Sequence, residues 1–285
     1  MDASFRESAT VRREASFITQ SLVNLLMTLR VAFILSLALI ILIGSGCSTT
    51  PPKSENAAPA QPETVVQVAG LNLTDLNKRI DRSQIAEFVK VLKREQIDML
   101  AVQGVARYPG VATRVDFVDE LSSQGDLRSG FGEMLNNSGR QTGNAIFSTF
   151  PILSHFNQSF EQVKAVDFEA GIEATIDAGV RSLGIISARL PGKASTGDQA
   201  KCLSLLSSLS MPDKKQPVII AGNLPDADTL RNFFGCVEIP RPSSVPRSAP
   251  RIWYSSSPPL KLLESHVIET SLGSMVVARF GVFRP

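Results

Sequence analysis

From residue 63 onward the apolar positions fall into short runs that predict strands more often than helices. Residues 64–73 are rich in Val and Leu and read as a buried strand. Ile85, Phe88, Val89 and Leu92 then recur at the i, i+3, i+4, i+7 spacing of an amphipathic helix. Asp81 or Ser83 can cap its start, and Lys93-Arg94 suit its C-terminal dipole. Residues 97–102 form the next apolar run. A strand, a helix and a strand within about forty residues predict a crossover unit.

From residue 128 the runs shorten. Strands are expected at 131–135 and 144–149, on either side of the polar stretch 136–143. A second pair, at 171–176 and 182–189, flanks the hairpin signal Asp177-Ala178-Gly179. A helix at 198–209 leads to a strand at 217–221 and a short helix at 226–234, and strands at 251–256, 262–269 and 274–283 follow. The segment around Pro151-Ile152-Leu153 and His155 reads as a loop. Each sheet of such a set can bury one face on a partner sheet and the other under helices. The expected class is therefore α/β (α+β), with two packed sheets and outer helices.

The N-terminal part reads differently. From Met27 the chain runs Met-Thr-Leu-Arg, then thirteen mostly aliphatic residues at 31–43, then Gly44-Ser45-Gly46-Cys47-Ser48. The apolar stretch is too short to span a bilayer as a helix. A basic residue before it and small residues before a cysteine make it resemble a bacterial lipoprotein signal, departing from that pattern at Gly44. An uncleaved membrane anchor is the alternative, since no charge falls between Arg30 and Lys53. Lipidation of Cys47 implies an extracytoplasmic protein held to a bacterial membrane by acyl chains. Residues 1–47 are then an N-terminal extension and signal, with Met27 as the expected start. Residues 48–62 form a Pro/Ala/Ser tether too poor in large apolar groups to repay ordering. Residues 63–285 form the folded domain.

Composition narrows the picture a little. Hydrophobic residues make up 43% and charged residues 20%, ordinary for a globular chain with one extra apolar segment. Residues 1–47 hold four Arg and three acids, which leaves 25 basic and 24 acidic residues for the rest. No basic stripe for neutralising phosphates is evident, so nucleic acid is not expected as a partner. Cys202 and Cys236 can pair in an exported protein, but a buried thiol is the default for Cys202 in its apolar run.

Four segments occur in a suggestive order: Gln67-Val68-Ala69-Gly70-Leu71-Asn72-Leu73, then Asp98-Met99-Leu100-Ala101-Val102-Gln103-Gly104-Val105, then Gly143-Asn144-Ala145-Ile146-Phe147-Ser148, then Pro217-Val218-Ile219-Ile220-Ala221-Gly222-Asn223-Leu224-Pro225. Their order and spacing resemble the endonuclease/exonuclease/phosphatase superfamily, metal-dependent phosphoesterases that include deoxyribonuclease I-like nucleases. The resemblance implies a four-layer α/β/β/α sandwich, deoxyribonuclease I-like. It also implies a site of hard oxygen ligands for Mg²⁺ or Mn²⁺ together with a base for the attacking water.

At nearly every such place this sequence carries something else. Asn72 matches the Asn that ends the family's first strand. The second strand's Gln-Glu-Val is Gln103-Gly104-Val105, and glycine offers a metal no side-chain oxygen. Arg189 stands where the family has a phosphate-contacting His; it can grip a phosphate bidentately but cannot shuttle protons near neutrality. Gly-Asp-Phe-Asn becomes Gly222-Asn223-Leu224-Pro225, and Ile-Asp-Tyr-Ile becomes Ile252-Trp253-Tyr254-Ser255. The closing Ser-Asp-His aligns with Ser271-Leu272-Gly273. Trp253 is either a ring filling the former metal pocket or a core aromatic on a buried strand. His155 and His266, the two His of the chain, read as surface or packing residues.

The expectation is a membrane-tethered, catalytically inactive domain with no cofactor, serving as a binding or structural module for a protein or small-ligand partner. Its remnant cleft positions are Asn72, Gly104, Arg189, Asn223 and Trp253. The alternative is a divergent metal-dependent phosphoesterase holding Mg²⁺ or Mn²⁺ with Asn72, Asp75, Asp226 and Asp228. Those three Asp also have a plain reading as turn and helix-cap residues.

Overall fold

The computed structural model describes residues 61–74, 80–111, 114–160, 170–190, 195–209, 216–224, 230–231, 235–240, 244–246, 249–255 and 260–284. Cys47, the signal-type segment, nearly all of the tether, Asp75, Asp226, Asp228 and most of the expected helix at 226–234 lie outside the described residues.

One sheet is built from β1 (Thr64–Asn72), β2 (Met99–Arg107), β3 (Arg128–Asn137), β4 (Arg140–Ser148), β11 (Leu260–Thr270) and β12 (Gly273–Val282). The other is built from β5 (Ile152–Ser159), β6 (Ala170–Asp177), β7 (Ser182–Arg189), β8 (Val218–Asn223), β9 (Cys236–Glu238) and β10 (Arg251–Ser255). The strand orders are β11-β12-β1-β2-β4-β3 and β5-β6-β7-β8-β10-β9. Three helices complete the described elements: α1 (Arg82–Arg94), α2 (Phe117–Gly125) and α3 (Thr196–Leu209).

β1 and β2 run parallel, so the chain returns through α1 as the apolar spacing implied. Asp81 rather than Ser83 caps that helix. Its carboxylate accepts from Gln84 N at 2.8 Å, while Gln84 Oε1 accepts from Asp81 N at 3.0 Å. Ile85, Phe88, Val89 and Leu92 are the residues that α1 buries.

Alternation along each strand sorts its side chains into different layers. Val68, Met99, Ala101 and Ile146 of the first sheet meet Ile172, Ile185, Ile219 and Ile252 of the second. On the first sheet's other face, Leu71, Leu100, Val102 and Phe147 pack against Phe88 of α1 and Leu121 of α2. On the second sheet's other face, Ile186, Ile220 and Trp253 pack against Cys202, Leu203 and Leu206 of α3. The product is a four-layer α/β/β/α sandwich, as expected.

Three elements go beyond the sequence pattern. α2 follows a cap at Asp116, whose Oδ1 accepts from Val118 N at 3.0 Å and Asp119 N at 3.2 Å. β9 is only three residues long. β5 occupies the stretch read as a loop, so His155 lies on a strand instead. A half-solvated strand ordinarily alternates apolar-in and polar-out, but β5 turns His155 and Asn157 toward the first sheet and Phe156 away, which is why the pattern hides it. β3 and β4 also reach through the expected polar stretch to a tight turn at Ser138-Gly139, with φ of 51° and 84°.

Candidate functional site

Two parallel strand pairs end side by side. Asn72 is the register partner of Gln103 across β1 and β2, and Arg189 is that of Asn223 across β7 and β8. Gln103 ties these two ends together across the sheets. It is fully buried, and its Nε2 donates to Ser187 Oγ at 2.9 Å and to Ala221 O at 3.2 Å. Ser187 Oγ in turn donates to Val102 O at 3.0 Å. Asn144 makes a second bridge between the sheets, from Nδ2 to Ala170 O at 2.7 Å, while its Oδ1 accepts from Gly104 N at 3.4 Å. Buried amides need such partners to offset their lost hydration. Gln103 Oε1 is the exception, with no hydrogen-bond partner among the described residues.

Asn72 and Gly104 meet through Thr74. The Asn72 carboxamide oxygen accepts from Thr74 N at 3.0 Å and Thr74 Oγ1 at 2.6 Å. That turn carries the chain past β1 and sets Thr74 directly beside Gly104. Gly104 adopts φ of 72° where the β2–β4 register slips between Val102 and Val105. An extra residue with positive φ is the ordinary use of glycine at a bulge.

The described side chains that mark these strand ends include Asn72, Thr74, Gln103, Ser187, Arg189 and Asn223, with Arg251 in register beside Gly222 and paired with Glu238. Mg²⁺ and Mn²⁺ favour carboxylate oxygens, and this donor set does not fit them. Asn72 Oδ1 is engaged by Thr74, and position 104 has no oxygen to add. Among the described residues no group of three or more His, Cys, Asp or Glu is placed to hold a metal ion. The amides and hydroxyls among these side chains can donate and accept hydrogen bonds and so orient a ligand. Arg189 beside Asn223 offers a planar donor fork suited to a carboxylate or phosphate.

The remaining sequence-predicted positions lie elsewhere. Trp253 is fully buried among Leu203, Leu206 and Ile220, in the layer between the second sheet and α3 rather than between the sheets. Leu272 is buried in the layer beneath α1 and α2, in the turn from β11 to β12, where its N–H donates to Thr270 Oγ1 at 3.1 Å. His266 Nε2 sits 3.6 Å from Glu95 Oε2. A cavity of about 170 Å³ lined by Val89, Leu92, Ile97, Asp98 and Thr149 lies where β2 begins, at the far end of that strand from Gly104. Burial pushes the Cys236 thiol up to about 12. The cross-sheet roles of Ser187 and Asn144 were hidden in sequence, although a polar residue inside an apolar strand is the signal that marks them.

No family model matches the chain, and no curated protein matches it in sequence. Among solved structures it is similar to an endonuclease/exonuclease/phosphatase from Beutenbergia cavernae DSM 12333. That match has a TM-score of 0.59 at 16% identity, covering 77% of this chain and 72% of that one. The human Nocturnin catalytic domain with bound sulfate anion gives 0.57 at 17% identity, over 82% of this chain and 100% of that one. D. rerio TDP2 complexed with single strand DNA product gives 0.57 at 15% identity, over 76% and 99%. Identities this low speak to fold: the chain has the deoxyribonuclease I-like fold of endonuclease/exonuclease/phosphatase proteins.

Proposed function

We propose that this chain is a membrane-tethered, non-catalytic domain of the endonuclease/exonuclease/phosphatase fold, acting as a binding or structural module. The observation that carries this reading is the closed space at position 104. The main carboxylate ligand implied by the resemblance is absent, and Thr74 fills the place from which any side chain there would project. Asn223, in register beside Arg189, lies where an anionic ligand could meet the strand ends. Nucleic acid is not the expected occupant, because the charge balance gives no basic stripe.

The test is turnover. Full-length protein is assayed on bis-p-nitrophenyl phosphate, plasmid DNA and phospholipid with Mg²⁺ or Mn²⁺. The expected result is no hydrolysis above background. Robust turnover that a chelator abolishes would sink the proposal and favour a metal site at Asn72, Asp75, Asp226 and Asp228.

The tether belongs to the same proposal and rests on the sequence before residue 63. Each buried CH₂ contributes about 0.8 kcal/mol and a single acyl chain anchors only marginally, so a diacylglyceryl group on Cys47 suits stable attachment. Cys47→Ser should leave a longer precursor. Recovery of membrane-bound wild-type protein still starting at Met27 or Met1 would show an uncleaved anchor instead.

A further inference from the structure

An uncovered sheet edge is a row of N–H and C=O groups ready to template another strand, and natural proteins guard such edges with charge, proline or brevity. Three of the four edges here are guarded. β11 carries Lys261, Glu264 and Glu269, β3 carries Arg128 and Glu133, and β9 is three residues long. β5 has none of those three guards and is interrupted only by a bulge at Leu153. Its eight residues, ILSHFNQS, include no Asp, Glu, Lys, Arg or Pro, and among the described residues it pairs with β6 alone.

The same strand carries the two most exposed large hydrophobic side chains among the described residues. Leu153 is 58% and Phe156 57% exposed, ahead of Leu263 at 43%. The β5–β6 register sets Phe156 opposite Glu173 and slips between Ile152 and Ser154, leaving Leu153 as the extra residue. A bulge of this kind lets two residues oppose one, so Leu153 joins Ser154 opposite Thr175, on the side that Phe156 shares. β5 is also held firmly in shape. Asn157 Nδ2 donates to Glu133 O of β3 at 2.7 Å, and His155 packs beside Gly130.

We infer that β5 is a self-association edge, through which two copies of this chain pair antiparallel about a two-fold axis and join their second sheets. A second copy is the occupant because a charge-free strand meets itself without like charges in opposition. An axis through His155 sets Ser154 opposite the partner's Phe156 and brings the bulged Leu153 beside that ring, a contact that the symmetry makes twice. A single strand pair buries less than a standard interface, so the association is weak, with a dissociation constant on the order of 10–100 µM.

Sedimentation of the full-length chain in a mild detergent, up to roughly 300 µM so as to pass that range, decides the question. Wild type is expected to show a concentration-dependent dimer. Phe156→Lys should raise the dissociation constant by about tenfold or more, because a charge on the edge must be desolvated to pair. Phe156→Thr, which keeps strand propensity, should weaken the dimer too, and Leu263→Lys on β11 should not. Trp253 emission checks that each variant is folded. A monomer throughout, as expected if the strand docks a different protein or stays solvated, overturns the inference. So does a dimer that Phe156→Lys leaves intact, or one that Leu263→Lys weakens equally.

Discussion

Thr74 stands where a side chain at position 104 would have to begin. A Cβ added to Gly104 would lie 2.7 Å from Thr74 Oγ1 and 2.9 Å from both the Thr74 Cα and its backbone nitrogen. Two of those three contacts are backbone atoms, which cannot swing aside. Asn72 fixes them in place through its two hydrogen bonds to Thr74. Asn72, at the end of β1, thus holds shut the space beside Gly104 at the bulge of β2.

Gly104→Glu is accordingly expected to fail as a restoration. The positive φ alone costs a non-glycine residue about 1–2 kcal/mol, and the overlap with Thr74 adds to it. Urea unfolding should show the loss, and phosphodiester hydrolysis with Mg²⁺ should stay at background. Gly104→Ala should be destabilised in the same direction. A Thr74→Gly background should recover part of that loss, with a coupling of about 0.5–3 kcal/mol. Additive effects would mean that the Thr74 side chain is not part of the obstacle, leaving its backbone alone to block the position.

The bond from Gln103 to Ser187 makes a second testable pair. Each side chain spans the sheets, and each removal strands a buried partner. Ser187→Ala should cost about 1–3 kcal/mol. Gln103→Leu should cost less than its two lost bonds suggest, because it also removes an oxygen that has no partner among the described residues. The double variant should be more stable than the sum of the singles predicts, measured by chemical denaturation.

The fold was legible because its core strands are so plainly apolar. Runs such as Val218-Ile219-Ile220-Ala221 admit few readings, and the spacing of Ile85, Phe88, Val89 and Leu92 marks both α1 and the side it buries. What escaped was set by tertiary context. β5 is an edge that turns the polar His155 and Asn157 toward the first sheet and Phe156 away from it, so no polar–apolar alternation announces it. Trp253 was balanced between two places because sequence position fixes a strand but not which layer a side chain enters. The structure places it under α3. At the site, the missing oxygen at Gly104 was readable from one letter. The role of Thr74 was not, since nothing in a linear sequence says that the turn after β1 folds back onto the end of β2.

Trp253 is the only Trp in the chain, so its fluorescence reports on the layer between the second sheet and α3. Complete burial among Leu203, Leu206 and Ile220 predicts blue-shifted emission that moves red on unfolding. Trp253→Ala should cost about 3–5 kcal/mol, as for other large aromatic truncations in a core. Trp253→Phe should cost less, since the Nε1 proton it removes has no acceptor among the described residues. Red-shifted native emission would contradict the burial.

Cys202 and Cys236 lie in that same layer. Desolvation pushes the Cys236 thiol up to about 12, so almost none is thiolate near neutrality. Neither peptide should be alkylated by iodoacetamide at about pH 8 while the protein is folded, and both should be in urea. Mass mapping distinguishes the two. Rapid labelling of Cys236 in the native protein would show that the layer opens locally.

Asp98 gives a pH dependence of defined sign. The residue sits at the start of β2, where burial raises its carboxyl above the ordinary value despite hydrogen bonds from Gln67 N, at 2.8 Å, and Thr149. A folded pKa above the unfolded one means that the native state binds the proton more tightly. The resulting stability is fully present below the unfolded pKa and is lost as pH rises through the folded pKa. At neutral pH the ionised carboxylate is therefore a net cost. Asp98→Asn keeps an oxygen to accept from Gln67 N and removes the charge. The variant should be more stable than wild type at neutral pH, and the advantage should vanish once the solution falls below about pH 4, where Asp98 is protonated in both states. Paired urea titrations across that range measure the difference directly. A variant less stable at pH 7 would mean that the charge strengthens the Gln67 bond by more than its desolvation costs.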